Sequence, residues 1–224
     1  MKIKICGLFR DEDIDFANEA RPDYIGFVFA KSTRQISSVF AQYLRFRLAN
    51  EIIPVGVFVN SPAAEIADLH RNGVISIAQL HGDEDESFII KLKKETGSKP
   101  IPVIKTISGK LLEINYKNAA VSNRRQQKDP VVFNYQTNAD YLLIDSGAGS
   151  GKTFDWELLK YYKFSKPWFL AGGINIKNIK DVMPLNPFAV DVSSGAETDS
   201  IKDREKILKL TASIRCYNEN SQHV

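Results

Sequence analysis

Eight short apolar runs punctuate the chain, beginning near Lys2, Tyr24, Ile53, Ile75, Ile101, Tyr141, Trp168 and Phe188. Each holds about four to seven β-branched, aromatic or aliphatic residues with little polar alternation, the pattern of strands covered on both faces. The clearest are Tyr24-Ile25-Gly26-Phe27-Val28-Phe29 and Val55-Gly56-Val57-Phe58-Val59. A glycine inside each suggests close backbone packing. Between the runs the period changes to that of amphipathic helices. Residues 11–20 carry Ile14, Ala17 and Ala20 on one face, and 38–48 carry Phe40, Tyr43, Leu44 and Leu48. Ser61-Pro62 reads as a cap followed by proline at the first helical position, with Ile66 and Leu69 beyond. Residues 83–95 present Phe88, Ile89 and Leu92; shorter helices fall at 154–162 and 175–182; residues 200–215 keep Ile207, Leu210 and Ile214 in phase.

Strand and helix alternating to eight strands predict a single-domain parallel α/β fold over residues 1–217, with a polar, frayed tail at 218–224. Eight units suit a closed (β/α)8 barrel. The competing architecture, an open doubly wound sheet, would more often show a glycine fingerprint after the first strand, where this chain reads Cys6-Gly7-Leu8-Phe9. The weak stretch is 106–140. Its pattern is polar, so an irregular or shortened fifth helix is expected, with an exposed loop at 124–130.

Composition narrows the function classes. The 224 residues are 43% apolar and 25% charged, enough for a core without staples. The net charge of +3 gives no field that points to nucleic acid or a membrane surface. Two cysteines, Cys6 and Cys216, make no disulfide framework and suit a reducing cytoplasm. Met1-Lys2-Ile3-Lys4-Ile5 alternates and does not read as a signal peptide, and no apolar run approaches the roughly 20 residues of a membrane span.

In a barrel the chemistry gathers at the C-terminal ends of the strands. Here those ends hold Cys6, the run from Phe29 to Arg34, Asn60, Gln79-Leu80-His81-Gly82, Lys105, Asp145-Ser146-Gly147, Gly172-Gly173 and Asp191-Val192-Ser193-Ser194-Gly195. The last two turns follow the seventh and eighth strands, the usual phosphate site of such barrels. Their glycines admit backbone N–H groups to an anion, and the serines add hydroxyls. Tight turns packed with small residues are the bland alternative. Ser146 to Thr153 resembles a P-loop but lacks its first glycine, and a glycine-rich lid over the barrel mouth fits better. Cys6 is either a small core residue or, facing the mouth, a nucleophile or base. Asp145 is either a turn cap or a general acid kept partly protonated by an apolar mouth. Arg34 is either a surface ion pair or a fork for a carboxylate or phosphate. Metal chemistry is disfavoured: His81 alone of three histidines lies at this face, and no ligand spacing supports a site.

Taken in order, these pieces resemble the phosphoribosylanthranilate isomerases of tryptophan biosynthesis. The matching segments are Lys4-Ile5-Cys6-Gly7-Leu8, Gly26-Phe27-Val28-Phe29 with Ser32-Thr33-Arg34, Val55 to Asn60, and Gln79-Leu80-His81-Gly82. Leu142-Leu143-Ile144-Asp145, Gly149 to Trp156, Leu170 to Ile174 and Ala189 to Glu197 complete the set. The resemblance implies a phosphate-binding TIM barrel and an Amadori rearrangement of N-(5-phosphoribosyl)anthranilate to the carboxyphenylamino-deoxyribulose phosphate. By that resemblance Asp145 is the general acid that opens the ribose ring, and Cys6 the base that removes the neighbouring C–H proton. Arg34 would bind the anthranilate carboxylate and Asp191 would help hold the sugar. Gly172, Gly173, Ser193, Ser194 and Gly195 would hold the phosphate. The implied enzyme needs no cofactor or metal. It has a small phosphorylated aminosugar as its partner rather than nucleic acid or membrane, is a monomer or homodimer, and is cytoplasmic. Rival readings are weaker. The aminoaldose isomerases of histidine biosynthesis carry an aspartate where Cys6 stands and two similar half-barrels, and no half-repeat is visible here. Pentulose-phosphate epimerases need histidines that this chain lacks. A non-catalytic phosphosugar-binding barrel would have no use for both Cys6 and Asp145.

Overall fold

The computed structural model describes residues 1–122, 131–133, 135–147 and 155–221. In chain order the elements are β1 (Lys2–Cys6), α1 (Asp11–Ala20), β2 (Tyr24–Val28), α2 (Ser38–Arg47), β3 (Ile53–Phe58), α3 (Ala63–Arg71), β4 (Ile77–Leu80) and α4 (Glu86–Glu95). There follow β5 (Val103–Ser108), α5 (Gly109–Ser122), β6 (Val131–Phe133), β7 (Tyr141–Asp145), a 3-10 turn (Trp156–Tyr161), β8 (Tyr162–Phe164) and β9 (Trp168–Ala171). The chain closes with α6 (Ile179–Val182), β10 (Ala189–Val192), β11 (Glu197–Thr198), β12 (Ile201–Lys202) and α7 (Arg204–Ser221). Eight parallel strands close into a barrel in the order β1-β10-β9-β7-β5-β4-β3-β2. Each barrel strand starts within two residues of its predicted position.

The strands bury both faces because alternate residues serve two cores. Tyr24, Val55, Ile77, Ile104, Leu143, Phe169 and Ala189 fill the barrel interior. Ile3, Ile5, Ile25, Phe27, Val103, Leu142, Leu170 and Val190 face outward onto the helices. Side chains fix the starts of α2 and α4: the Phe40 N–H donates to Ser37 Oγ at 3.2 Å, and the Phe88 N–H donates to Asp85 Oδ1 at 2.9 Å. The cap expected at Ser61 is not made, since α3 begins at Ala63 with Pro62 in the cap position and no side-chain bond there. Ile14, Ala17 and Ala20 are buried as the period predicts, and so are Ile207, Leu210 and Ile214 on α7. Tyr43 turns out to solvent, with Ala41 and Leu44 taking the inner face of α2.

Three expectations change. The fifth helix is not shortened or irregular: α5 spans 14 residues. It carries both polar and apolar positions, and Leu112 supplies a fully buried anchor that also accepts from Tyr162 Oη at 2.5 Å through its carbonyl. The loop at 124–130 lies outside the described residues. A small parallel pair, β6 with β8, forms outside the barrel and was not anticipated. The tail expected from 218 on is helical as far as Ser221. Asn218 holds that end: it accepts from the Met1 amine at 2.9 Å and donates to the Met1 carbonyl at 2.8 Å. Among the described residues no helix is long and apolar enough to cross a membrane.

Candidate active site

Register places the first pair. Lys4 of β1 lies opposite Asp191 of β10. The Lys4 ammonium, fully buried, donates to both Asp191 oxygens at 3.0 and 2.9 Å. Burial pulls the ammonium down, but Asp191 and Cys6 more than offset it, so Lys4 sits above its ordinary value. Cys6 is two residues further along β1, on the same side as Lys4 and 8% exposed. Its thiol occupies space that only glycine leaves open: a Cβ on Gly26 would lie 2.6 Å from Cys6 Sγ. Burial pushes the Cys6 thiol up; Lys4 and Lys202 pull it back and Asp191 opposes them, with a net rise. The thiol is therefore protonated as folded, with two ammonium groups poised to stabilise a thiolate.

Asp145 closes the inward-facing run of β7. His81 Nε2 stands 3.3 Å from Asp145 Oδ2, and the Gly147 N–H donates to Oδ1 at 3.0 Å. The His81 hydrogen bond outweighs desolvation and holds the carboxyl below its ordinary value. Asp145 is thus ionised, which corrects the expectation of a partly protonated acid. The mouth supplies it with donors rather than an apolar wall. Gln79 Nε2 and Thr106 Oγ1, each 3.3 Å from His81 Nδ1, orient the ring from behind.

The glycine turns after β9 and β10 meet. Gly172 and Gly173 adopt left-handed φ of 96° and 67°, and Ser146 Oγ donates to the Gly172 carbonyl at 3.0 Å. A Cβ on Gly195 would lie 1.9 Å from the Ile174 carbonyl, so the second turn presses against the first. Ser193 Oγ donates to the Cys6 carbonyl at 3.2 Å, tying this corner to the end of β1.

Arg34 reaches the same mouth already engaged. Its Nε and Nη2 donate to Glu197 Oε1 and Oε2, both at 2.6 Å. Glu197 also pairs with Lys202, whose side chain is fully buried and is pushed down by burial against the pull of Glu197. Two other residues from the strand ends do not join. Lys105 turns to the Gly82 carbonyl at 2.7 Å and to Glu84 at 3.3 Å, and the Asn60 N–H donates to Glu84 at 2.6 Å. They brace the loops after β3 and β4. Of the lid expected at 146–153, residues 148–153 lie outside the described residues.

A model of the N-(5'-phosphoribosyl)anthranilate (PRA) isomerase family matches residues 3–213. The chain belongs to the phosphoribosylanthranilate isomerase family. A family member from Endomicrobium trichonymphae is 42% identical over 220 residues, covering 96% of this chain and 98% of the relative. The crystal structure of phosphoribosyl anthranilate isomerase from Thermus thermophilus superposes with a TM-score of 0.74 at 28% identity, covering 96% and 99% of the two chains. A phosphoribosylanthranilate isomerase solved with reduced 1-(o-carboxyphenylamino)-1-deoxyribulose 5-phosphate superposes at 0.71 with 28% identity and the same coverage. Family membership makes this chain an isomerase of tryptophan biosynthesis. Set against that phosphoribosylanthranilate isomerase frame, the sequence reading missed Lys4, His81 as the partner of Asp145, and the Glu197–Lys202 pair. Lys4 was legible: it sits two residues before Cys6 on one strand. Glu197 and Lys202 gave no signal of pairing.

Proposed function

We propose that the chain converts N-(5-phosphoribosyl)anthranilate into 1-(2-carboxyphenylamino)-1-deoxyribulose 5-phosphate, with Asp145 as acid and Cys6 as base. One observation carries the assignment. In the barrel order β1-β10-β9-β7, the strands that end in Cys6 and Asp145 flank the two whose turns form the glycine cradle. A sugar phosphate anchored on Gly172, Gly173, Ser193, Ser194 and Gly195 would lie between acid and base.

The steps follow from the groups present. Asp145 gives a proton to the ribose ring oxygen, the C–O bond breaks, and the anilino nitrogen becomes an iminium. The iminium acidifies the adjacent C–H, and the Cys6 thiolate takes that proton to leave an enolamine. The enolamine then tautomerises to the ketone. No metal or organic cofactor is needed, because the iminium supplies the electron sink. At the end Asp145 is a carboxylate and Cys6 a thiol, which is the state their surroundings favour as folded. Each turnover therefore begins with one proton moving from the thiol side to the acid side. His81 Nε2, 3.3 Å from Asp145 Oδ2, is placed to hydrogen-bond the carboxyl as it takes up and releases that proton. Lys4 and Lys202 stabilise the thiolate that results. Arg34 is read as the anthranilate carboxylate site. Asp191 is read as a sugar contact, its oxygens already oriented by Lys4.

Every named group comes from one chain, so a monomer and a homodimer would both carry the site. The reading implies a cytoplasmic enzyme, because a phosphorylated sugar is met where it is made. The test is the loss of substrate fluorescence when phosphoribosylanthranilate, generated in situ, meets the purified protein. Rapid loss with formation of the ketose supports the reading, and a stable signal at micromolar enzyme rejects it.

A further inference from the structure

Arg34 is held from two directions. Its stem lies on the backbone just after Cys6, where a Cβ on Gly7 would come within 2.5 Å of Arg34 Cδ. Its guanidinium spends Nε and one Nη2 proton on a bidentate pair with Glu197. A guanidinium has two edges that can meet a planar carboxylate. The side edge is taken, and the end edge, made of Nη1 and the second Nη2 proton, is the one left to offer a ligand.

Glu197 is itself fixed. It stands opposite Lys202 in the antiparallel β11–β12 hairpin. Its side chain is 4% exposed and the Lys202 side chain 0%. The Lys202 ammonium also donates to the Ser193 carbonyl at 3.2 Å, which ties the hairpin to the second glycine turn. Around Cys6 the cations are the buried Lys4 and Lys202 and the partly exposed Arg34, and the carboxylates are Asp191 and Glu197. Arg10 nearby is balanced by Asp13. The corner therefore carries one positive charge more than its carboxylates neutralise. The surplus sits on Arg34, whose side chain is 25% exposed and so open to an anion from the mouth.

We propose that Glu197 and Lys202 are specificity-determining positioning residues. They lock Arg34 edge-on and leave the corner one carboxylate short, so that it selects an N-aryl substrate bearing a carboxylate over one without. The inference rests on the reading of Arg34 as the anthranilate carboxylate site. Glu197→Gln would release the side edge of Arg34, so the guanidinium would no longer be held with its end edge toward the ligand. Its effect should fall on recognition of the carboxylate and spare the chemistry.

The experiment compares kcat and KM for phosphoribosylanthranilate with those for the analogue made from aniline, which lacks the carboxylate. It uses wild type, Arg34→Lys, Glu197→Gln and the double variant Glu197→Gln/Lys202→Met. The double variant removes both buried charges of the pair and keeps the test open if the single variant does not fold. The ratio of kcat/KM for the natural substrate to that for the analogue should fall on the order of tenfold or more in Glu197→Gln and in the double variant, through KM. If Arg34→Lys lowers that ratio and the Glu197 variants leave it at the wild-type value, the positioning role is wrong and the Arg34 reading stands. If Arg34→Lys itself lowers both substrates equally, the Arg34 reading fails and takes the proposal with it. Equal losses on both substrates in the Glu197 variants mean a purely structural pair.

Discussion

His81 Nε2 lies 3.3 Å from Asp145 Oδ2, and this contact, more than any other, keeps the acid of the proposed reaction ionised as folded. Cys6 shows the opposite bias, since burial keeps its thiol protonated. The reactive form has the same number of protons in exchanged places. Its population follows the one-proton state of the pair, which dominates between the two titrations. The kcat/KM profile should therefore be flat from about pH 5 to pH 8, falling only outside the ordinary carboxylate and thiol ranges.

Replacing His81 with Gln removes the largest influence that lowers Asp145. The carboxyl then titrates higher, so the acid limb of kcat/KM moves to higher pH while the alkaline limb stays. A pH–rate profile of wild type and His81→Gln checks this. An acid limb that does not move means that His81 has no hold on the acid.

Thiol labelling reads the other half of the pair. Cys216 is exposed and Cys6 is buried, so iodoacetamide should modify Cys216 first. Asp191 raises the Cys6 thiol and Lys4 lowers it. Asp191→Asn should speed Cys6 alkylation and Lys4→Met should slow it, as read by peptide mass spectrometry on folded protein. The reverse order would remove Lys4 as the group that stabilises the thiolate.

The proposed phosphate cradle depends on two turns in contact. Gly195→Ala would place a methyl 1.9 Å from the Ile174 carbonyl oxygen, a backbone atom that cannot step aside cheaply. The turns should splay, raising KM for the substrate by about tenfold or more with a stability loss of about 1–3 kcal/mol. Inorganic phosphate should also inhibit this variant more weakly than wild type. Unchanged KM and phosphate inhibition would place the phosphate elsewhere.

Much of this was legible in the chain because the barrel repeats one rule. Strands buried on both faces read as bare apolar runs, and catalytic candidates then follow from where each run stops. Cys6 and Asp145 are such stops, and Lys4 follows from alternation along β1. What was not legible depends on contacts between segments far apart in sequence. No spacing joins His81 to Asp145, so the ionisation of the acid was read the wrong way. Glu197 and Lys202 face each other across strands of two residues each, too short to show any period. The regular α5 was hidden because polar residues are mixed along its length.

Acid stability follows from Glu197. Burial raises its carboxyl, but Arg34 and Lys202 together lower it further, so it sits below its ordinary value. A carboxyl depressed in the folded state adds stability above its unfolded value and loses it as pH falls through the folded one. Thermal midpoints should therefore drop as pH falls below about 4.3, the ordinary glutamate value. They should drop less steeply in Glu197→Gln/Lys202→Met. Parallel curves for the two proteins would mean that the pair contributes nothing to folding.

The most direct test of the account is single-turnover and steady-state consumption of phosphoribosylanthranilate, followed by fluorescence, with circular dichroism, for wild type, Cys6→Ser, Asp145→Asn and the double variant. Serine retains shape but forms almost no alkoxide near neutral pH, and asparagine has no proton to give. Each single variant should lose about 10²–10⁴-fold or more in kcat while keeping the wild-type spectrum. The double variant should lose far less than the product of the two, because both groups act on one reaction path. A folded Cys6→Ser or Asp145→Asn protein that turns over at near the wild-type rate would contradict the account.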